Sequence, residues 1–150
     1  MMRKLASLQR DERGAAIIEL AIIAPVLALL TVGVVDMANG FGRKMKLEQA
    51  AQRAIEKVMN TTGETTVEAT IIQEAATQAE VTIDKVQVTY RLECNGSVST
   101  ATECQPNETE SKWISVSVED KYTPLFPLHF KGINSDGTYH IRSEAGVRVE

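Results

Sequence analysis

The most pronounced feature of the sequence is an apolar run near the N-terminus. It covers residues 15–35, reads AAIIELAIIAPVLALLTVGVV and contains one charged residue, Glu19. A helix of about 20 apolar residues can cross a hydrocarbon core of ~30 Å. The pattern therefore predicts a transmembrane helix, and Pro25 is tolerable inside it because neighbouring helices or local adjustment can satisfy the freed carbonyl.

Beyond this run, apolar residues recur at three- and four-residue spacing, which is typical of an amphipathic helix. These residues are Met45, Leu47, Ala50, Ala51, Ala54, Ile55, Val58 and Met59. One long helix is therefore predicted from residue 15 to about residue 59. Gly40 and Gly42 each cost up to ~1 kcal/mol of helix propensity, so we expect a bend or a break at that point.

A second, shorter helix is predicted from Thr65 to about Ala79. Thr65 and Glu68 form a capping-box pattern, in which the hydroxyl and the carboxylate satisfy free backbone amides at the helix start. The inward face of this helix is predicted to carry Val67, Ile71, Ile72 and Ala75.

After Val81 the period of the apolar residues changes to two, which is typical of half-buried strands. Three strands are predicted, with apolar positions at Val86, Val88, Tyr90 and Leu92, then Ile114, Val116 and Val118, then Tyr139, Ile141, Ala145, Val147 and Val149. The amphipathic helices can cover their apolar faces. The predicted fold class is therefore α+β: a long N-terminal transmembrane helix that continues into a small domain of two helices packed on a three-stranded or larger antiparallel sheet.

Charge is distributed unevenly along the chain. Residues 1–14 contain four basic and two acidic side chains, a net charge of +2, so the formal charge of −4 for the whole chain becomes −6 without them. This acidity argues against a nucleic-acid partner. Residues 36–150 are enough for a small core but not for a deep active-site cavity, so no small-molecule substrate is predicted.

Two ordinary explanations of the N-terminal segment meet difficulties. A secretory signal peptide has a shorter apolar region, and the one small-residue cleavage site downstream would place Asp36 at its −3 position. A plain single-pass anchor explains the length and the basic flank but leaves Glu19 unexplained. A carboxylate near the centre of such a span costs ~2.5 to 3.5 kcal/mol, and less near its end, so Glu19 needs a partner.

A third explanation supplies that partner. The residues Arg13-Gly14-Ala15-Ala16-Ile17-Ile18-Glu19 resemble the type IV prepilin cleavage site. The resemblance implies that a membrane peptidase cuts after Gly14, which makes Ala15 the first residue of the mature chain and gives it a positive α-amine. Positions i and i+4 share a helix face, so Glu19 can pair with that amine in its own chain or in a neighbour. As in pilins, Glu19 would then align a subunit during assembly.

The continuation APVLALLTVGVVDMANGFGRKM, with Asp36 directly after the span, is similar to TadE-like minor pilins, or pseudopilins, of the tight-adherence (Flp) type IV pilus system. Residues 113–150 are similar to the family's C-terminal end. The resemblance implies a leader at 1–14, a transmembrane assembly helix at 15–35 and a periplasmic, pilin-like domain at 36–150. It also implies an inner-membrane protein with a cytoplasmic N-terminus, which can be incorporated into an extracellular pilus. Its partners would be a prepilin peptidase, other pilin and minor pilin subunits, the pilus assembly platform and membrane lipid.

The two cysteines are the main candidates for covalent chemistry. Cys94 and Cys104 flank the Asn95-Gly96 turn and the polar loop that is predicted to join the first two strands. A disulfide fits an oxidising exported compartment, and closing a loop of about ten residues contributes ~2 to 3 kcal/mol. Two free buried cysteines are the alternative. The spacing is not that of zinc ligands, so no metal and no other cofactor is predicted.

Other polar residues do not form a recognisable catalytic motif. His129 and His140 lie on either side of a glycine-containing loop without a matching nucleophile, which predicts a protein that is not an enzyme. Arg43, Lys44 and Lys46 follow the span and either contact anionic lipid headgroups or begin a solvated helix.

The apolar loop at residues 122–128 either packs beneath the sheet or is offered to a partner. The predicted function is assembly of the Flp pilus as a minor pilin or pseudopilin. The alternative is a membrane-anchored extracytoplasmic binding module that does not enter a filament.

Overall fold

The structure is a computed structural model that describes residues 12–60, 68–125 and 135–149, and it divides the chain into two units, Met1–Ala38 and Asn39–Glu150. The predicted α+β fold is confirmed. Its elements are helix α1 (Glu12–Asn60), helix α2 (Glu68–Ala79), a 3-10 turn (Ile83–Lys85) and strands β1 (Val86–Cys94), β2 (Ser97–Ser99), β3 (Glu110–Tyr122) and β4 (Tyr139–Arg148). Thr65, Val67, His129 and residues 126–128 of the apolar loop at 122–128 lie outside the described residues.

In the first unit, the described residues 12–38 are helical throughout and include Pro25. Large apolar side chains are exposed on every side of this helix; Ile17, for example, is 69% accessible. No residue of its most apolar stretch is buried, and it is long and apolar enough to cross a membrane. A helix that is apolar all round gains stability only when lipid or other helices cover it.

The second unit contains a four-stranded antiparallel sheet in the order β2-β1-β3-β4. β3 is central and pairs with β1 through Val86↔Val118 and with β4 through Val116↔Ala145. The alternation of apolar residues did not reveal β2, which has only three residues. It follows β1 through a two-residue turn in which Asn95 and Gly96 both have positive φ, and Asn-Gly is the usual sequence for such a hairpin turn.

The core of the second unit lies between the sheet and one face of each helix. It is formed by Leu47, Ala50, Ala51, Ala54 and Ile55 from α1, by Ile71, Ala75, Ala76 and Ala79 from α2, and by Val86, Val116 and Val118 from the sheet. Most of the residues predicted to face inward do so. Small alanine side chains let the backbones approach closely, while Leu47 and Ile71 are buried almost completely and contribute about 1.5 to 3 kcal/mol each.

Among the described residues, four that were predicted on apolar faces are exposed instead: Met45, Met59, Tyr90 and Val149, which is 44% accessible. Met45 and Met59 are 56% and 60% accessible. At about 100° per residue they lie roughly 160° and 120° around α1 from Leu47, away from the buried face. Tyr90 lies on the same face of β1 as Val86, but its side chain is 59% accessible. The helices that bury Val86 therefore do not extend over Tyr90.

Gly40 and Gly42 do not end α1, because both lie within its helical residues. A Cβ added to Gly40 would lie 3.6 Å from two ring carbons of Tyr122, so α1 and the end of β3 come close together here. Because α1 is helical through both glycines, the predicted break at this point is wrong.

Candidate functional site

The predicted processing site lies in the first helical turns of α1. Gly14 is exposed, and Glu19 comes four positions after Ala15 in the helix, a rise of about 6 Å. Glu19 is exposed and forms no ion pair with any residue in the described ranges. The backbone at residue 15 and the carboxylate at residue 19 thus belong to neighbouring positions on one side of the helix.

This geometry is suited to pairing with an amine. A carboxylate on a helix surrounded by apolar side chains is costly in a membrane unless it meets an opposite charge. An α-amine at Ala15 would be one turn away in the same chain, and the amine of another chain could meet Glu19 where two such helices lie side by side.

A second polar site ties the start of the second unit to its sheet. The Arg43 guanidinium donates to the Asp120 carboxylate at 2.6 Å and to the Ala79 carbonyl at 2.8 Å. The Arg43 and Asp120 side chains are only 22% and 24% accessible. One cation from α1 therefore neutralises a charge on β3 and also satisfies a carbonyl at the C-terminal end of α2, which leaves carbonyls without helical partners.

The end of α2 explains why a cation is useful there. Glu80 adopts a positive φ of 53°, and the Val81 amide donates to the Ala76 carbonyl at 3.0 Å, as in a Schellman motif. Lys46 forms an ion pair with the Glu80 carboxylate, and the hydrogen bond from Lys46 lowers the pKa of Glu80. Arg43 and Lys46 thus each pair with a carboxylate of the second unit, and the expected contact with lipid headgroups stays a prediction.

Lys44 differs from these two residues. It is 52% accessible and lies 3.9 Å from Glu48, one turn further along α1. Such an exposed pair contributes little to stability. The exposed position of Lys44 is what the expectation of a solvated helix start describes.

Cys94 and Cys104 are joined in a disulfide, with their Cα atoms 5.6 Å apart. The closed loop is held by further bonds: the Cys104 amide donates to Glu110, and the Asn95 amide donates to the Thr109 carbonyl at 2.9 Å. Although the Glu108 carboxylate lies close to both sulfurs, a disulfide does not offer the thiolates that a zinc site uses. The polar loop after the hairpin joins β2 to β3, rather than two longer strands.

On the sheet face opposite the core, Trp113 is the centre of a small polar cluster. Its indole Nε1 donates to Glu93 at 3.0 Å, and the Arg91 guanidinium stacks 5.5 Å from the ring centroid. His140 lies 3.4 Å from Glu119 elsewhere on this face. These contacts are a hydrogen bond, a cation–π contact and a histidine–carboxylate contact, and none of them holds a nucleophile against a base.

An open groove of about 380 Å³ lies beside α2 and is lined by Lys57, Ala69, Thr70, Gln73, Glu74 and Thr77. Lys57 and Glu74 form an ion pair of 2.9 Å at its wall, which lowers the pKa of Glu74. The remaining polar groups of the groove are hydroxyls and an amide. Its chemistry is that of a solvated helix surface.

The sequence did contain a signal for the Arg43 site. Asp120 continues the alternation of Val116 and Val118 and therefore falls on the predicted inward face of the strand. A carboxylate at such a position requires a partner, although the alternation does not say which cation provides it.

The comparisons with known proteins bear on the N-terminal part of the chain. Residues 14–55 match the family model of TadE-like proteins, a range that begins at the predicted cleavage residue Gly14 and includes Glu19 and Arg43. No curated protein and no solved structure matches the chain. The similarity noted for residues 113–150 lies outside the matched range and stays a prediction. Residues 14–55 are therefore similar to the TadE-like family, the resemblance that the sequence predicted for this part of the chain.

Proposed function

We propose that this chain is a minor pilin or pseudopilin of a tight-adherence (Flp) pilus. In this proposal a prepilin peptidase removes residues 1–14, the helix at residues 15–35 holds the mature chain in the inner membrane, and residues 36–150 form the periplasmic domain. The helix then docks with other pilin subunits at the assembly platform or within the filament. The role is structural and involves no catalysis.

The observation that carries the proposal is the family match that starts at Gly14, on a helix whose apolar side chains are exposed all round. Such a helix is stable in lipid and can pass to the interior of a bundle of similar helices, where its side chains are covered again. Glu19 is the exception to this apolar surface, and the α-amine made by cleavage gives it a counter-charge. Processing and docking are thereby linked through one residue.

Processing is tested by N-terminal sequencing of the protein from membranes of a strain with an active prepilin peptidase. The mature chain should begin at Ala15, and a Gly14→Ala variant should accumulate at full length. Gly33→Ala is the matched control, because it makes the same change in the same helix where a new Cβ meets nothing within 4 Å. An intact Met1 on the unaltered protein, or normal cleavage of the Gly14→Ala variant, would contradict the proposed processing.

The assembly role is tested separately with Glu19→Ala and Glu19→Gln. Both variants should be cleaved normally, because the scissile bond is unchanged, yet both should fail to enter sheared pili or to support their formation. Gln matters because it keeps the size and polarity of the side chain while removing the charge that pairs with the amine. Normal piliation by either variant would remove Glu19 from the mechanism.

The second candidate is a membrane-anchored binding module that never enters a filament. It is favoured by the second unit, which has its own core. Replacing residues 1–35 with an unrelated transmembrane anchor distinguishes the two. A pilin loses its role in assembly after this replacement, whereas a tethered module keeps its activity.

A further inference from the structure

Strand β4 lies at one edge of the sheet and has ten residues. In the order β2-β1-β3-β4 its partner among the described residues is β3 alone. The backbone groups on the other side of an edge strand can pair with a further strand. At the opposite edge, β2 has three residues and offers much less backbone for this purpose.

The sequence of β4 is complementary to itself when it is reversed. If two copies run antiparallel about Ser143, Arg142 of each lies opposite Glu144 of the other. Ile141 then lies opposite Ala145 on the second face of the strand. A shift of one residue destroys this match, because each charge then lies opposite an uncharged side chain.

The two charged residues are available for such pairing. Arg142 and Glu144 are each 50% accessible on the solvent face of the sheet. Among the described residues of its own chain, the Arg142 guanidinium contacts carboxylates at long distances, 3.4 Å to Glu119 and 3.5 Å to Glu144. Opposite charges directly across an antiparallel pair stabilise it, and a twofold arrangement makes this contact twice.

We propose that two copies of this chain associate through their β4 strands, antiparallel and with the twofold axis at Ser143, so that two four-stranded sheets join into one. The partner is a second copy because Arg142 and Glu144 complement each other in a single register. Ile141 and Ala145, both half-buried, then extend the apolar layer across the junction. This association uses the second unit alone and is independent of cleavage at Gly14 and of Glu19.

The test is disulfide trapping between two full-length, differently tagged chains in the same membrane. One chain carries Arg142→Cys and the other Glu144→Cys, while Cys94 and Cys104 remain in their own disulfide. Opposed residues of an antiparallel pair have Cα atoms about 4.5–5.5 Å apart, which suits a disulfide. Mild oxidation should therefore give a cross-linked heterodimer.

The control pair is Arg142→Cys with Arg148→Cys. In the proposed register, residue 148 of one chain lies about 13 Å along the strand from the position opposite residue 142 of the other. This control pair should give at most a trace of cross-linked dimer. Equal cross-linking of both pairs would indicate chance encounter of tethered domains, and absence of the first cross-link would also overturn the proposal.

Charge reversal provides a second test, measured by the homodimer that Ser143→Cys cross-links, since residue 143 is the one position that opposes itself. Adding Arg142→Glu should reduce the dimer at least severalfold, whereas Arg148→Glu, the same charge change on the same strand, should leave it unchanged. Adding both Arg142→Glu and Glu144→Arg should restore it. A double variant that is no better than Arg142→Glu, in protein that keeps its melting temperature, would contradict the register.

Discussion

Replacing Arg43 with methionine removes the guanidinium but keeps an unbranched apolar side chain of comparable length. The change leaves the Asp120 carboxylate, which is 24% accessible, without its cation, and the Ala79 carbonyl without its side-chain donor. Both losses fall within the second unit. We therefore expect its free energy of unfolding to fall, while the helical residues of the first unit are unaffected.

The magnitude follows from the two short contacts. A hydrogen bond that involves a charged group contributes about 1.5 to 3 kcal/mol, and a polar group left without a partner adds a desolvation cost. Solvent reaches roughly a quarter of each side chain and weakens the interaction. We expect Arg43→Met to cost about 2 to 4 kcal/mol, a large part of the stability of a domain of this size.

The assay is urea unfolding of the full-length protein in detergent micelles, followed by the fluorescence of Trp113, the sole tryptophan. Trp113 lies in β3, so its signal reports on the sheet rather than on the apolar helix. A double-mutant cycle with Asp120→Asn measures the interaction itself. We expect a coupling energy of at least about 1 kcal/mol between the two residues.

Lys44→Met is the matched control, because Lys44 is a neighbouring cation on α1 whose nearest carboxylate is 3.9 Å away in solvent. It should change the free energy of unfolding by less than about 0.5 kcal/mol. The reasoning is refuted if Arg43→Met costs no more than Lys44→Met, or if the effects of Arg43→Met and Asp120→Asn simply add.

Three further predictions concern the second unit. Gly146→Ala should lower its free energy of unfolding by about 1 to 3 kcal/mol, because a Cβ there would lie 2.8 Å from the Ser115 hydroxyl; urea unfolding should also show partial recovery in a Ser115→Ala background. Cys104→Ser, which removes the disulfide, should lower the free energy of unfolding by about 2 to 3 kcal/mol. A reducing agent should lower the stability of the unaltered protein by a similar amount but should not change that of the variant. The pKa of Glu74 is lowered below its ordinary value of 4.5, mainly by the hydrogen bond from Lys57, so its stabilisation is present above about pH 4.5 and is lost as the pH falls through the folded-state pKa. Thermal melts should therefore show a smaller loss of melting temperature between pH 5 and pH 3 for Glu74→Gln than for the unaltered chain.

Much of the fold could be predicted because its determinants are local. A run of apolar residues specifies a membrane-length helix by itself, and the period of two specifies strands wherever one face is buried. β2 was missed because three residues are too few to show a period, although Asn95 and Gly96 indicated a hairpin. Met45 and Met59 were assigned to the core because they were counted by spacing, without their angular position around the helix.

The Arg43 site shows the limit of this reasoning. Asp120 could be recognised as a charge on an inward face, but its partner lies 77 residues earlier in the chain and was one of several basic residues near the end of the span. Periodicity says which face of an element is buried and not which elements meet, so the choice among Arg43, Lys44 and Lys46 depends on packing. The bond from Arg43 to Ala79 adds a further condition, because its acceptor is a backbone carbonyl. Every residue has a backbone carbonyl, so the sequence does not show that the one at the end of α2 needs a donor. Arginine has several donors in one plane and can bind this carbonyl and the Asp120 carboxylate together. The reason for arginine at this position is therefore visible only in the folded chain.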